Sequence, residues 1–146
     1  MDTDADFMAR AFAQAKKSAD EGGVPVGACL VEGDTLISEG HNRRQQQQAV
    51  IFHGETDCIC NAGLYDGWSR CTIYTTLSPC MMCAGTIVQF GIPRVVIGDN
   101  VNFGGNEDFL RSRGVEVSVM NVPEMIDYFA DWMEGHMDIW NGDIGK

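Results

Sequence analysis

His53-Gly54-Glu55 and, further on, Pro79-Cys80-Met81-Met82-Cys83 are two half-motifs that any fold of this chain has to bring together. One histidine and two cysteines supply three protein ligands for zinc, the number that leaves a fourth position open for water. The glutamate two residues after the histidine is placed to shuttle protons beside a metal-activated water. A lone Cys-x-x-Cys is a weak motif. Both halves, in this order, are a strong one.

Two other uses of the same residues fit less well. Cys-x-x-Cys also serves redox exchange, but thioredoxin-like sites do not need an upstream His-x-Glu. A purely structural zinc site wants a fourth protein ligand close by. Cys58, Cys60, Cys71 and His41 are available for that role, and none stands at a second paired spacing.

The apolar pattern gives the frame for the motif. From Asp4 to Glu21 apolar residues fall at Phe7, Met8, Ala11, Phe12, Ala15 and Ala19, a helical spacing that Gly22-Gly23 ends. Val26–Glu32 reads as a strand, Gly33-Asp34 as a turn and Thr35–Gly40 as the antiparallel partner. Gln45–Gln48 reads as a solvated loop. The pattern around His53 is helical to about Ala62, and Thr72–Leu77 is a β-branched and aromatic strand. Ser78 is then expected as N-cap and Pro79 at the first helical position, which puts Cys80 and Cys83 in the first turn of a helix ending near Gly91. A helix N-terminus favours thiolate over thiol. Arg94–Gly98 and Val115–Val119 read as strands joined by a helix over Glu107–Arg113, so these two should run parallel. Pro123–Met133 reads as a last helix, followed by a tail with Trp140. Strands interleaved with helices give an α/β class, and 146 residues suit one domain, 1–146.

Charge narrows the partners. Twenty-one acids against 10 bases give a net charge of −11, whereas proteins that grip nucleic acid gain most of their affinity from Lys and Arg on phosphates. No nucleic-acid partner is expected, and a small neutral molecule is favoured. No apolar run is long enough to span a membrane. The acidic start, without an export signal, and six cysteines point to a reducing cytoplasm.

The spacing H-x-E then P-C-x-x-C is that of zinc-dependent nucleobase deaminases, and the chain resembles the cytidine deaminase-like superfamily. Within it the likeness is to fungal-type cytosine deaminases and covers nearly the whole chain. It is carried by Glu21-Gly22-Gly23-Val24-Pro25, Gly40-His41-Asn42, Tyr74–Cys80, Gly91-Ile92-Pro93-Arg94, Asn100-Val101-Asn102-Phe103 and Asp143-Ile144-Gly145. The resemblance implies a three-layer αβα sandwich around a central mixed five-stranded sheet, one zinc per chain and a homodimer. It also implies that Asn42 bonds the substrate ring and that Gly54 and Cys80 offer it backbone N–H groups. Val26 would pack on the ring, Phe103 and Trp140 would wall it, Ser78 would line it, and Asp143 would reach a ring or amino nitrogen. Asn141 and Gly142 depart from the family, which has an aromatic and an acidic residue there.

Without the resemblance, several of these residues have plainer roles. Asn42 could cap a turn, Phe103 and Trp140 could be core or dimer aromatics, and Asp143 a solvated charge. His41 and His136 have no motif around them and read as surface residues or supports behind the site. The chemistry implied is hydrolytic. Glu55 takes a proton from water, passes it to a ring nitrogen and protonates the departing amine. Cytosine is the leading substrate. Another small aminated ring, such as an aminotriazine, a substituted cytosine or a guanine-like base, is the alternative, and a tRNA- or DNA-editing enzyme or a silent zinc-binding scaffold lies further off.

Overall fold

The computed structural model describes residues 2–146. Five strands form one sheet in the order β2-β1-β3-β4-β5. They are β1 (Gly27–Glu32), β2 (Thr35–His41), β3 (Cys71–Thr75), β4 (Arg94–Ile97) and β5 (Glu116–Val119). Strand β1 runs antiparallel to both β2 and β3, while β3, β4 and β5 run parallel. The mixed sheet follows from the connections. A two-residue turn joins β1 to β2, whereas α4 (Met81–Phe90) and α5 (Glu107–Ser112) are the crossovers that parallel neighbours require.

Alternation along the strands divides the core into two layers. Ala28, Leu30, Ile73, Val95 and Ile97 face one way, against Cys58 and Ile59 of α3 (Gly54–Ala62), Ala84 and Ile87 of α4, and Leu110 of α5. Cys29, Val31, Tyr74 and Val96 face the other way, against Phe7, Met8, Ala11, Phe12 and Ala15 of α1 (Asp4–Asp20) and Met125 of α6 (Pro123–Glu134). The result is an αβα sandwich. Among the described residues, no helix is long and apolar enough to cross a membrane.

Three local expectations are corrected. Helix α4 begins at Met81 with Cys80 as its N-cap, not at Pro79 with Ser78. Ser78 is engaged elsewhere: its N–H donates to the Asp99 carbonyl at 2.8 Å and its hydroxyl bonds Glu107. The polar run after Arg43 is a short helix, α2 (Arg44–Gln47), rather than a solvated loop. Gln46 is drawn inward to the Asn42 carbonyl at 3.0 Å and the Ser18 hydroxyl at 3.2 Å. The tail also coils into α7 (Met137–Asp143).

Close packing of α3 on β2 depends on Gly40. A methyl group there would stand 2.3 Å from the Cys58 backbone nitrogen and 2.7 Å from its Cα, atoms that cannot step aside as a side chain could. Gly40→Ala is therefore expected to cost about 3 kcal/mol, the upper range for overpacking. In urea the unfolding midpoint should fall with little change in slope.

Candidate active site

Sheet direction gathers the motifs. Because β2 and β3 both oppose β1, the carboxyl ends of β2, β3 and β4 and the start of β1 lie at the same end of the sheet. That end of an α/β sheet is where ligands bind. Asn42 follows β2, Leu77 and Ser78 follow β3, and the loop from Asp99 to Phe103 follows β4. Val26 precedes β1, and α3 and α4 both begin there.

His53 is the N-cap of α3 and Cys80 that of α4; Cys83 lies in the first turn of α4. Two positive helix ends thus meet where anionic sulfur is needed. The His53 Nδ1 atom is 3.4 Å from Cys80 Sγ and 3.7 Å from Cys83 Sγ, and the three ligand atoms all lie within 4.8 Å of one another. Zn–N and Zn–S bonds of ordinary length, set at the tetrahedral angle, put nitrogen and sulfur about 3.5 Å apart. The donor set fits one zinc ion. Cys29, Cys58, Cys60 and Cys71 stand outside this group.

The charges of the protein groups agree with a metal centre. The Cys83 hydrogen bond, then that of His53, pulls the Cys80 thiol down to about 4, against the effect of burial. Cys83 is raised, by its bond to Cys80 and by burial. Burial pushes His53 down, but the Cys80 bond and the charges of Asp143, Glu55 and Cys80 outweigh it and lift the imidazole to about 9. Cation binding must displace the protons held by this trio. Glu55, 3% exposed, is pushed up to about 7, first by burial and then by the charge of Cys80.

A cavity opens beside His53 and Cys80, lined by Val26, Asn42, His53, Glu55, Leu77, Ser78, Cys80, Phe103, Trp140, Asp143 and Ile144. Most residues singled out from the sequence meet here. Cys83 sits behind the wall, fully buried. Gly54 lies against Val26, so close that a methyl on it would be 2.9 Å from the Val26 carbonyl oxygen. Trp140 packs edge-on against Phe103 at 5.5 Å and Phe129 at 5.0 Å. Asp143 is not a solvated charge. It accepts from Asn42 Nδ2 at 3.1 Å and stands 3.4 Å from His53 Nε2, and burial raises its pKa.

Other parts of the wall were not picked out from the sequence. Leu77 and Ile144 line the cavity, and only their position beside Ser78 and Asp143 could have pointed to them. Asn106 and Glu107, at the start of α5, hold the loop before Cys80 through the Pro79 carbonyl (2.9 Å) and the Ser78 hydroxyl. His41 is buried, with Nε2 2.8 Å from Glu21 and Nδ1 3.2 Å from Gln14. His136 is exposed and stacks on Trp132.

Comparison with known proteins agrees with this geometry. A family model described as the cytidine and deoxycytidylate deaminase zinc-binding region matches residues 1–99. The cytosine deaminase of Candida albicans is 49% identical over 139 residues, 93% of each chain. A tRNA-specific adenosine deaminase of Bacillus subtilis is 40% identical over 95 residues, 63% of this chain and 59% of that protein. Among solved structures, a guanine deaminase from Nitrosomonas europaea superposes with a TM-score of 0.74, covering 92% of this chain and 85% of that one at 20% identity, a likeness of fold. The motif, the metal-sized gap between its ligands and the near full-length relative lead to one conclusion: the chain belongs to the cytidine and deoxycytidylate deaminase family of zinc-binding hydrolytic deaminases.

Proposed function

We propose that this protein removes the exocyclic amine of a free aminated base by hydrolysis, with cytosine to uracil and ammonia as its best reaction. The observation that carries this reading is the wall of the cavity beside the metal-ligand group. Trp140, Asp143 and Ile144 wall it from the end of the chain. In this reading the wall leaves room for a free ring and excludes a ring carrying a sugar. The activity named for the Candida albicans relative supports the same substrate.

Bound zinc supplies Lewis acidity that makes water a nucleophile near neutral pH. The chain's own groups do the rest. His53, Cys80 and Cys83 hold the ion, and Glu55 moves protons. Glu55 accepts one from the attacking water and delivers it to the ring nitrogen beside the amine. It then takes the remaining proton of the hydroxyl now on the ring carbon and gives it to the amine, which leaves as ammonia while the carbonyl forms. Asn42 spends one amide hydrogen on Asp143, which leaves the other for a ring carbonyl. Gly54 and Cys80 offer backbone N–H groups to the ring, and Asp143 meets the amino side. Val26, Phe103 and Trp140 confine the ring plane. The Ser78 hydroxyl is taken by Glu107, so Ser78 lines the site with its backbone.

Two further parts belong to the same reading. The chain works as a homodimer, for which the exposed Met81, Met82 and Phe90 of α4 provide apolar surface. It works in a reducing, cytoplasmic setting, because neighbouring Cys80 and Cys83 must stay reduced to bind metal.

An ammonia-release screen of the zinc-loaded protein tests the substrate. It should cover cytosine, 5-substituted cytosines, aminotriazines, guanine, cytidine and a tRNA hairpin. Cytosine is expected to give the highest kcat/KM. A much higher value for cytidine or the hairpin overturns the free-base reading.

A further inference from the structure

The segment between β2 and α3 contains a charged clamp that the deamination chemistry does not use. Arg43 spans it from one end to the other. Its guanidinium lies over the Phe52 ring, 4.7 Å from the centroid, and its backbone N–H donates to the Phe52 carbonyl at 2.8 Å. On the far side, Nε and Nη2 donate to one oxygen of Asp57 at 2.8 and 2.7 Å. Phe52 immediately precedes His53. Asp57 lies one helical turn after it and donates its own N–H to the His53 carbonyl at 2.9 Å. One guanidinium therefore grips the chain on both sides of the His53-Gly54-Glu55 turn.

The other end of the clamp is equally fixed. The Asp57 side chain is only 2% exposed, and its second oxygen accepts the His41 N–H at 3.0 Å. His41 is held in turn by Glu21 and Gln14 of the first helical segment. Asn42 sits between His41 and Arg43, so both of its neighbours are tied to the same carboxylate. Asp57 does not line the cavity and is not among the metal-sized group of ligands. Burying a carboxylate is costly unless it is fully paired, and this one is paired with groups that flank the metal ligand and the ring-binding amide.

We propose that Arg43 and Asp57 are positioning residues: together they fix the direction of the His53 imidazole and the Glu55 carboxylate relative to Asn42. The inference rests on the reading of His53 as a zinc ligand and Glu55 as the proton carrier. It requires arginine specifically. A planar guanidinium stacks on a ring and bonds a carboxylate at the same time, whereas the lysine ammonium does only one of these well.

The test uses the zinc-loaded full chain and two readouts, the rate of zinc release to excess chelator and the split of kcat from KM. Arg43→Lys and Asp57→Asn are expected to speed zinc release about 10-fold or more and to lower kcat about 10–100-fold, the range for groups that orient metal ligands. KM should stay within about threefold, because neither Arg43 nor Asp57 itself lines the cavity. Arg43→Met/Asp57→Ser, which leaves no unpaired charge, should be no worse than the worse single variant, since the clamp acts as one unit. Arg10→Lys, in the exposed pair with Glu39, should change neither readout. Folded variants that melt earlier but release zinc and turn over within about twofold of the parent would overturn the proposal. If the single variants do not fold, the double variant decides by the same readouts. If the parent deaminates no free base, the substrate reading falls, and zinc release still decides this one.

Discussion

Glu55→Gln is expected to keep the fold and the zinc while kcat falls by at least ~10²–10⁴-fold, the usual contribution of one general acid–base group. The side chain is almost fully buried beside the ligands, so an amide of nearly the same shape leaves packing intact. What it loses is the ability to accept a proton and return it. The loss should exceed that of a single transfer, because the same carboxyl group serves water, ring nitrogen and amine in turn. Ammonia release, metal analysis and circular dichroism on one preparation check the prediction together. A folded, zinc-bearing variant with near-parental turnover would remove Glu55 from the mechanism.

Cys83→Ala should have the second largest effect, on the metal. Cys83 is fully buried, and its sulfur is one of three protein ligands. With His53 and Cys80 alone, zinc affinity should fall by more than the ~10–100-fold that follows loss of a residue behind the ligands. Metal analysis should find close to one zinc per parent chain and less than about a tenth of that in the variant. Stability follows occupancy, because a ligand that binds only the folded state stabilises it. A chelator should therefore lower the parent's Tm and leave the variant's unchanged. Zinc retained in full by Cys83→Ala would show that the ligand set is wrong.

The metal half of the site was legible because its signals are local. His53 and Glu55 share one helix start, and Cys80 and Cys83 share another. Strands interleaved with helices likewise gave the α/β class, and the crossover over Glu107–Arg113 gave the parallel pairing of β4 with β5. Local signals failed where a distant residue decides. Ser78 has the chemistry of an N-cap, but Glu107, 29 positions away, takes its hydroxyl. Gln46 belongs to a polar run, yet Ser18 and the Asn42 carbonyl draw it inward. Trp140 by residue type alone reads as a core or dimer aromatic, and it takes Phe103 and Phe129, both distant in sequence, to set it in the cavity wall. The arginine–aspartate clamp was invisible for a related reason. Neither residue is unusual alone, and their pairing depends on how the chain re-enters α3 beside β2.

The order of these parts along the chain has a consequence for how such enzymes diversify. The metal ligands and Glu55 all fall between residues 53 and 83, whereas Phe103, Trp140, Asp143 and Ile144 come from the last third. The metal-ligand stretch is thus compact, while the wall around it is gathered from both sides of the chain, with Val26 and Asn42 ahead of it. A recombination event, or a deliberate graft, that exchanges the stretch after β4 therefore reshapes part of the wall only if it also keeps Asn106, Glu107 and Asp143, the props that this stretch lends to Cys80 and His53.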